Sequence, residues 1–292
     1  MSPESTSTSS RTIIVAESGS DITPRQAFSL DINVLPMHVA LGAEGLDDGA
    51  FPISRIYDHV ARTGELPRTS ASTPGQYQEL FQGLRRAFPN SPILHLCYSA
   101  ATTATYQNAL IGAEGVDGIT HVDTKGVCAG QGLIVMAVAR MRNDHPEMGV
   151  EKLADYARDL AERTDFRFIP GDLSYLKAGG RVSNAAYLGA TLLRLRPLIE
   201  VIDGRLTATG KYRGSMLRSA RHMVEDFFSA HDYEDGQVAF VWSEGLGDDV
   251  REMAEGLAAE NGHANPLWVR CGGVITSHAG PGALGVCGIA RS

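Results

Sequence analysis

Between residues 12 and 141, short apolar runs alternate with longer stretches whose apolar residues return at helical spacing, and that alternation leaves few architectures open. Strands are expected at 12–16, 32–41, 92–98 and 118–123. Helices are expected from 21–24 onward and at 53–62, 76–88, 103–113 and 130–141, with a polar loop at 66–74. Strand followed by helix, repeated, implies a parallel sheet covered on both faces. The pattern changes after Asn143. A charged helix at 150–163 leads to a strand at 166–169, then to two helical stretches flanking Gly179 and Gly180. Two strands, 198–202 and 205–210, follow on either side of Asp203 and Gly204, a dipeptide suited to a tight primed turn with positive φ at both central positions. A helix at 215–228, a strand at 238–242, a helix at 248–260 and apolar strands from Leu267 complete the chain. The expected fold is therefore α/β: an N-terminal parallel-sheet α/β/α domain over 12–163 and a C-terminal α/β domain with a mixed, partly antiparallel sheet over 164–292. The Ser- and Thr-rich residues 1–11 have no apolar residue after Met1 to pack and read as a disordered tail.

The formal net charge of -8 argues against nucleic acid as a partner, because that binding is driven by Lys and Arg displacing counterions. Cys97, Cys128, Cys271 and Cys287 are widely spaced, with no C-x-x-C pair, and no export signal opens the chain. Reduced, buried thiols in a cytoplasmic protein are expected. The most apolar stretch, 271–290, contains His278 and several glycines and falls short of a membrane span, so no stable membrane insertion is expected.

In open parallel sheets, ligands bind beyond the carboxyl ends of the strands. Three polar clusters fall there: Glu17 to Ser20, the loop 69–73, and Ser99 to Thr105. The third opens a helix, whose free amides and dipole suit an anion. Taken alone, the hydroxyls of Ser99, Thr102 and Thr103 read first as helix caps.

Several segments together resemble one family. Residues 97–109 (CYSAATTATYQNA) are similar to the S-S-x-L-S-G-T-Y-Q-S-A segment of DegV-type proteins, the fatty-acid-binding subunits of bacterial fatty acid kinase. Residues 67–74 resemble its P-x-T-S-Q-P-S, residues 16–21 its T-D-S-x-x-D, residues 176–183 its L-x-x-G-G-R-I-S, and residues 195–198 its I-K-P-I. The Asp203-Gly204 turn, residues 211–213 (K-x-R) and residues 278–285 (H-x-G-P-G-A-L-G) extend the match in the family's order. The resemblance implies a long-chain fatty acid in an apolar tunnel between two domains. Its carboxylate would be held by Thr69 and Thr103 at a helix start, beside Ala104 and His278. Ser18, Ser70, Arg181 and Arg213 would be further head-group or partner contacts. It also implies a separate ATP-dependent fatty acid kinase as partner and no cofactor beyond the bound acid. Thr103 stands where the family usually has Ser, Ala104 where it has Gly, and Ala71 and Ser72 replace Gln and Pro.

Other motifs carry less. Residues 280–285 satisfy G-x-G-x-x-G, but the chain ends before a second strand and acidic partner could follow. Residues 204–212 lack P-loop spacing. Ser243, in Val-Trp-Ser-Glu-Gly, suggests a serine hydrolase acting on an acyl ester with His263 or His278, though the elbow's first glycine is missing. No histidine has a partner at i,i+3 or i,i+4, so no helix-borne metal site is expected; His121 and Asp123 read as a strand-end cap. The resemblance implies a non-catalytic lipid carrier.

Overall fold

The computed structural model of the chain describes residues 11–184 and 195–292. Its first sheet has four parallel strands in the order β2 (Ile32–Leu35), β1 (Ile13–Glu17), β6 (Ile93–Cys97), β7 (Ile119–Asp123). All of β6 is buried, as a central strand covered on both sides requires. Helices α3 (Pro74–Ala87) and α4 (Thr105–Gly112) cover one face, where Tyr77, Phe81 and Ala109 pack with Val15, Ile93 and Cys97. The other face meets α5 (Cys128–Asp144), in which every residue from 128 to 139 is buried. A helix apolar on all sides must be enclosed, and α5 touches β1 on one side and the second sheet on the other. Helix α1 (Pro24–Leu30), opened by a Thr23–Gln26 capping box, and α6 (Val150–Arg163) flank it.

The second sheet begins at Thr164. Its order is β10 (Arg205–Arg213), β9 (Leu195–Ile202), β8 (Thr164–Ile169), β13 (Leu284–Ala290), β11 (Tyr233–Trp242), β12 (Leu267–Arg270). β11 and β12 pair in parallel while the other named strand pairs are antiparallel, which makes the sheet mixed. The expected hairpin is present, with φ of 47° at Asp203 and 75° at Gly204. Its tip reaches the first sheet: Ser99 Oγ donates to the Gly204 carbonyl at 2.6 Å, and a Cβ on Gly204 would lie 2.5 Å from that oxygen. Helices α8 (Met216–Ala230) and α9 (Asp248–Glu260) bury Met223, Phe227 and Leu257 against Phe240 and Val286.

Four elements depart from the sequence reading, one being the apolar stretch from Leu267, where a helix, Gly273–Ala279, stands between β12 and β13 instead of an unbroken set of strands. The run 32–41 is not one strand. Pro36 has no N–H to continue a ladder, and beyond it β3 (His38–Leu41) joins a small antiparallel sheet with β4 (Glu44–Asp47) and β5 (Arg68–Ser70). The loop 66–74 therefore contributes a strand, paired Val39 to Thr69 and followed by α3, while α2 (Ser54–Thr63) packs beneath through Ile56. The helix expected at 103–113 starts at Thr105, leaving Thr103 and Ala104 in the turn before it. Of the two helical stretches around Gly179 and Gly180, the first is α7 (Leu173–Gly179); the second falls outside the described residues.

Candidate functional site

Between the carboxyl rim of the first sheet and the inner face of the second lies a cavity of about 280 Å³. Strand periodicity supplies one wall: Phe166 and Phe168, two apart on β8, face it together with Leu206 and Val241. Tyr98, Val127 and Cys128 come from the rim opposite. Helix α10 (Gly273–Ala279) adds Val274 and His278, four apart and so on one face. Cys128, read from sequence as an ordinary buried thiol, is buried in this wall, and its thiol donates to Asp21 Oδ2 at 2.9 Å.

At one end the lining turns polar, with Thr69, Ser70, Thr103, Ala104, Arg181 and His278 brought together from four separate segments. Thr69 Oγ1 lies 2.8 Å from His278 Nε2. The opposite ring nitrogen, Nδ1, is buried with no hydrogen-bond partner. Burial, with the charge of Arg181 nearby, lowers the His278 pKa to about 4, so the ring is neutral at pH 7. Gly179 makes its placement feasible, because a Cβ there would lie 2.1 Å from Nδ1. Thr103 Oγ1 accepts the Thr105 N–H at 3.0 Å and donates to Thr105 Oγ1 at 2.6 Å, so this hydroxyl caps the start of α4 while facing the cavity.

Two of the sequence candidates lie elsewhere. Ser18 Oγ donates to Asp48 Oδ2 at 2.8 Å and accepts the Met37 N–H at 3.0 Å, joining β1 to the small sheet rather than reaching the cavity. Arg213 is exposed at the far end of β10, opposite Leu195. The hydrolase reading of Ser243 is overturned. Its buried hydroxyl donates to the Gly280 carbonyl at 2.6 Å and accepts the Ala283 N–H at 2.8 Å, bracing the Gly-Pro-Gly turn. Neither histidine is positioned as its base, since His278 engages Thr69 and His263 stacks on Phe228.

Sequence reasoning missed the carboxylates that seat α10. Asp21 Oδ1 accepts the Gly272 N–H at 2.9 Å, and Asp48 Oδ1 the Gly273 N–H at 2.7 Å. Burial raises both pKa values, that of Asp21 from 3.8 to about 8. The folded chain thus keeps a proton on Asp21 that the unfolded chain has already lost. Stability from this group is full below about pH 4 and is lost as pH rises toward 8. His278 works in the opposite sense below about 6.5, so the interval from 6.5 to 8 removes its effect, and comparison with Asp21→Asn separates Asp21 from Asp48. Over that interval, urea unfolding of wild type is expected to lose up to about 1.4 kcal/mol per pH unit relative to Asp21→Asn. Parallel pH profiles for the two proteins would refute this assignment.

Fold and site together define an α/β protein in which a parallel and a mixed sheet enclose a mainly apolar cavity with a hydroxyl- and histidine-lined mouth. The family model described as "Uncharacterised protein, DegV family" matches residues 11–291, and the chain belongs to that family. A DegV domain-containing protein of Deinococcus radiodurans is 30% identical over 281 residues, covering 94% of this chain and 96% of its own. A Thermus thermophilus DegV family protein, whose solved structure is described by its fatty acid binding, is 26% identical, with a TM-score of 0.85 over 96% of this chain and 100% of that one. A Streptococcus agalactiae DegV family structure, 22% identical with a TM-score of 0.83 over 97% of this chain and 100% of that one, shares the fold. Among the described residues no helix is long and apolar enough to cross a membrane.

Proposed function

We propose that the chain binds a long-chain fatty acid between its two halves, which divide at residues 163 and 164, and presents the carboxylate to a separate ATP-dependent kinase. The observation that carries the binding reading is the Thr69–His278 pair, 2.8 Å apart at the polar end of an otherwise apolar cavity. The Thermus thermophilus relative, described as binding fatty acid, supports the same ligand class. Because Nδ1 has no partner, the neutral ring carries its proton on Nε2 and donates to Thr69 Oγ1. The Thr69 hydroxyl proton is then free for a carboxylate oxygen. Thr103, at the start of α4, lines the cavity with its hydroxyl and reaches the second oxygen by redirecting to it the proton now donated to Thr105 Oγ1, and exposed Arg181 supplies positive charge at the rim.

With Ser243 committed to the Gly280 turn, these groups bind and orient rather than cleave. Phosphoryl transfer would fall to the partner, a step supported by the sequence resemblance. Mass spectrometry under native and denaturing conditions tests for a co-purified fatty acid released on unfolding. Titration of delipidated protein with palmitate is expected to show about tenfold weaker binding for Thr69→Ala and for Thr103→Ala, the worth of about one hydrogen bond to an ion. A folded wild-type protein that binds no fatty acid would overturn the proposal. Acyl phosphate formed equally well without this chain would remove the presentation step alone.

A further inference from the structure

The face of the first sheet turned away from α5 holds a second group of ligand-capable side chains, none of which lines the cavity. His95 and Cys97 are two apart on β6 and so leave the same face, and the parallel register sets His121 of β7 opposite His95. His95 Nδ1 lies 3.0 Å from His121 Nδ1 and 3.1 Å from Cys97 Sγ. Ligand-capable atoms of all three residues lie within 4.8 Å of one another. On its other side, His95 Nε2 lies 2.6 Å from Glu17 Oε1. Glu17 is fully buried and also receives the Tyr77 hydroxyl at 2.6 Å, the Tyr98 N–H at 2.9 Å and the Gln131 amide at 3.0 Å. A carboxyl surrounded by donors is the anion and can only accept, so His95 carries its proton on Nε2. Its Nδ1 lone pair is thereby aimed at Cys97 and His121.

We propose that His95, Cys97 and His121 form a zinc site, with Glu17 as the carboxylate that orients the His95 ring. Carboxylate, imidazole and metal in series is the usual support of a zinc-bound histidine. Tetrahedral zinc with its ordinary bond lengths places nitrogen ligands about 3.4 Å apart and nitrogen and sulfur about 3.6 Å apart. The present separations need to open by about 0.5 Å, a small ring rotation, to admit the ion. One thiolate with two imidazoles selects a borderline-soft d-block ion over calcium or magnesium. Charge also balances. A divalent ion with the Cys97 thiolate and the Glu17 carboxylate sums to zero in a buried setting. His121 is only half-buried on the edge strand, which gives the ion a route in and water the fourth position. Binding is an exchange without redox change: the Cys97 thiol proton leaves to solvent as the zinc–sulfur bond forms.

The test uses full-length, tag-free protein treated with chelator, then titrated with Co²⁺ and with Zn²⁺. The expected result is one Co²⁺ per chain with tetrahedral ligand-field bands and a thiolate charge-transfer band, displacement by one equivalent of Zn²⁺, and release of about one proton. Cys97→Ser should lose the charge-transfer band. His121→Ala, at a half-exposed position, should weaken Zn²⁺ binding at least about tenfold while leaving the circular dichroism unchanged. Folded protein that takes up no stoichiometric Co²⁺ or Zn²⁺, or binding that both substitutions leave intact, would overturn the site.

Discussion

Gly179→Ala is expected to weaken palmitate binding by about a hundredfold while leaving the protein folded. The added methyl would lie 2.1 Å from His278 Nδ1 and 2.8 Å from Cε1, well inside contact distance, so the imidazole must move. It cannot move and keep its place, because Nε2 is fixed 2.8 Å from Thr69 and α10 packs directly on α7. Overpacking of this kind costs about 1–3 kcal/mol, here drawn from the geometry of the polar mouth. The backbone is not at issue, for Gly179 ends a helix with ordinary negative φ, where alanine is favoured over glycine by about 1 kcal/mol. Gly180 provides the contrast. Its φ of 62° resists a side chain, yet a Cβ there meets nothing within 4 Å. Gly180→Ala should therefore lower stability by about 1 kcal/mol and leave affinity within about twofold. Titration calorimetry with thermal unfolding of both variants separates the two effects. Wild-type affinity in Gly179→Ala would mean that the Thr69–His278 pair has no part in holding the head group.

That contrast bears on what a sequence can reveal. The adjacent glycines 179 and 180 read alike, as a turn, but only Gly180 is required by backbone conformation; Gly179 is required by a histidine 99 positions later, and no local rule conveys that. The strand and helix alternation was legible because periodicity is local, and so was the hairpin at Asp203 and Gly204. The break at Pro36 was marked in the sequence by a missing donor, but the sheet that β3 then joins depends on Thr69 pairing with Val39, a long-range choice. Hydroxyls on the sheet rim were legible from position alone, and all four polar segments at the mouth carry family-like motifs. The apolar wall was not. Phe166, Leu206 and Val241 obey the same strand periodicity whether they meet a ligand or another side chain. His95 and Cys97 share a face by the period of two, but His121 joins them only through the register of β6 with β7, and helical spacing was the wrong template for a cluster built across strands.

The apolar wall can instead be read through the ligand. Replacing palmitate by decanoate, six methylenes shorter, is expected to lower affinity by more than about a thousandfold. Each buried methylene contributes about 0.8 kcal/mol, close to fourfold in affinity, and the apolar cavity wall offers Phe166, Phe168, Leu206 and Val241 to receive them. The head group contributes the same to both acids, so the ratio reports the tail alone. The ordering of a flexible chain trims each increment but does not reverse it. Val241 permits a sharper version of the experiment. It is buried in the cavity wall opposite Gly285, and Val241→Phe would place a ring where distal methylenes lie. Palmitate should then lose far more affinity than decanoate, and the two should converge. If affinity were instead flat across chain length in the wild-type protein, the tail would be lying outside the cavity, and the enclosure formed by the two sheets would have some other occupant.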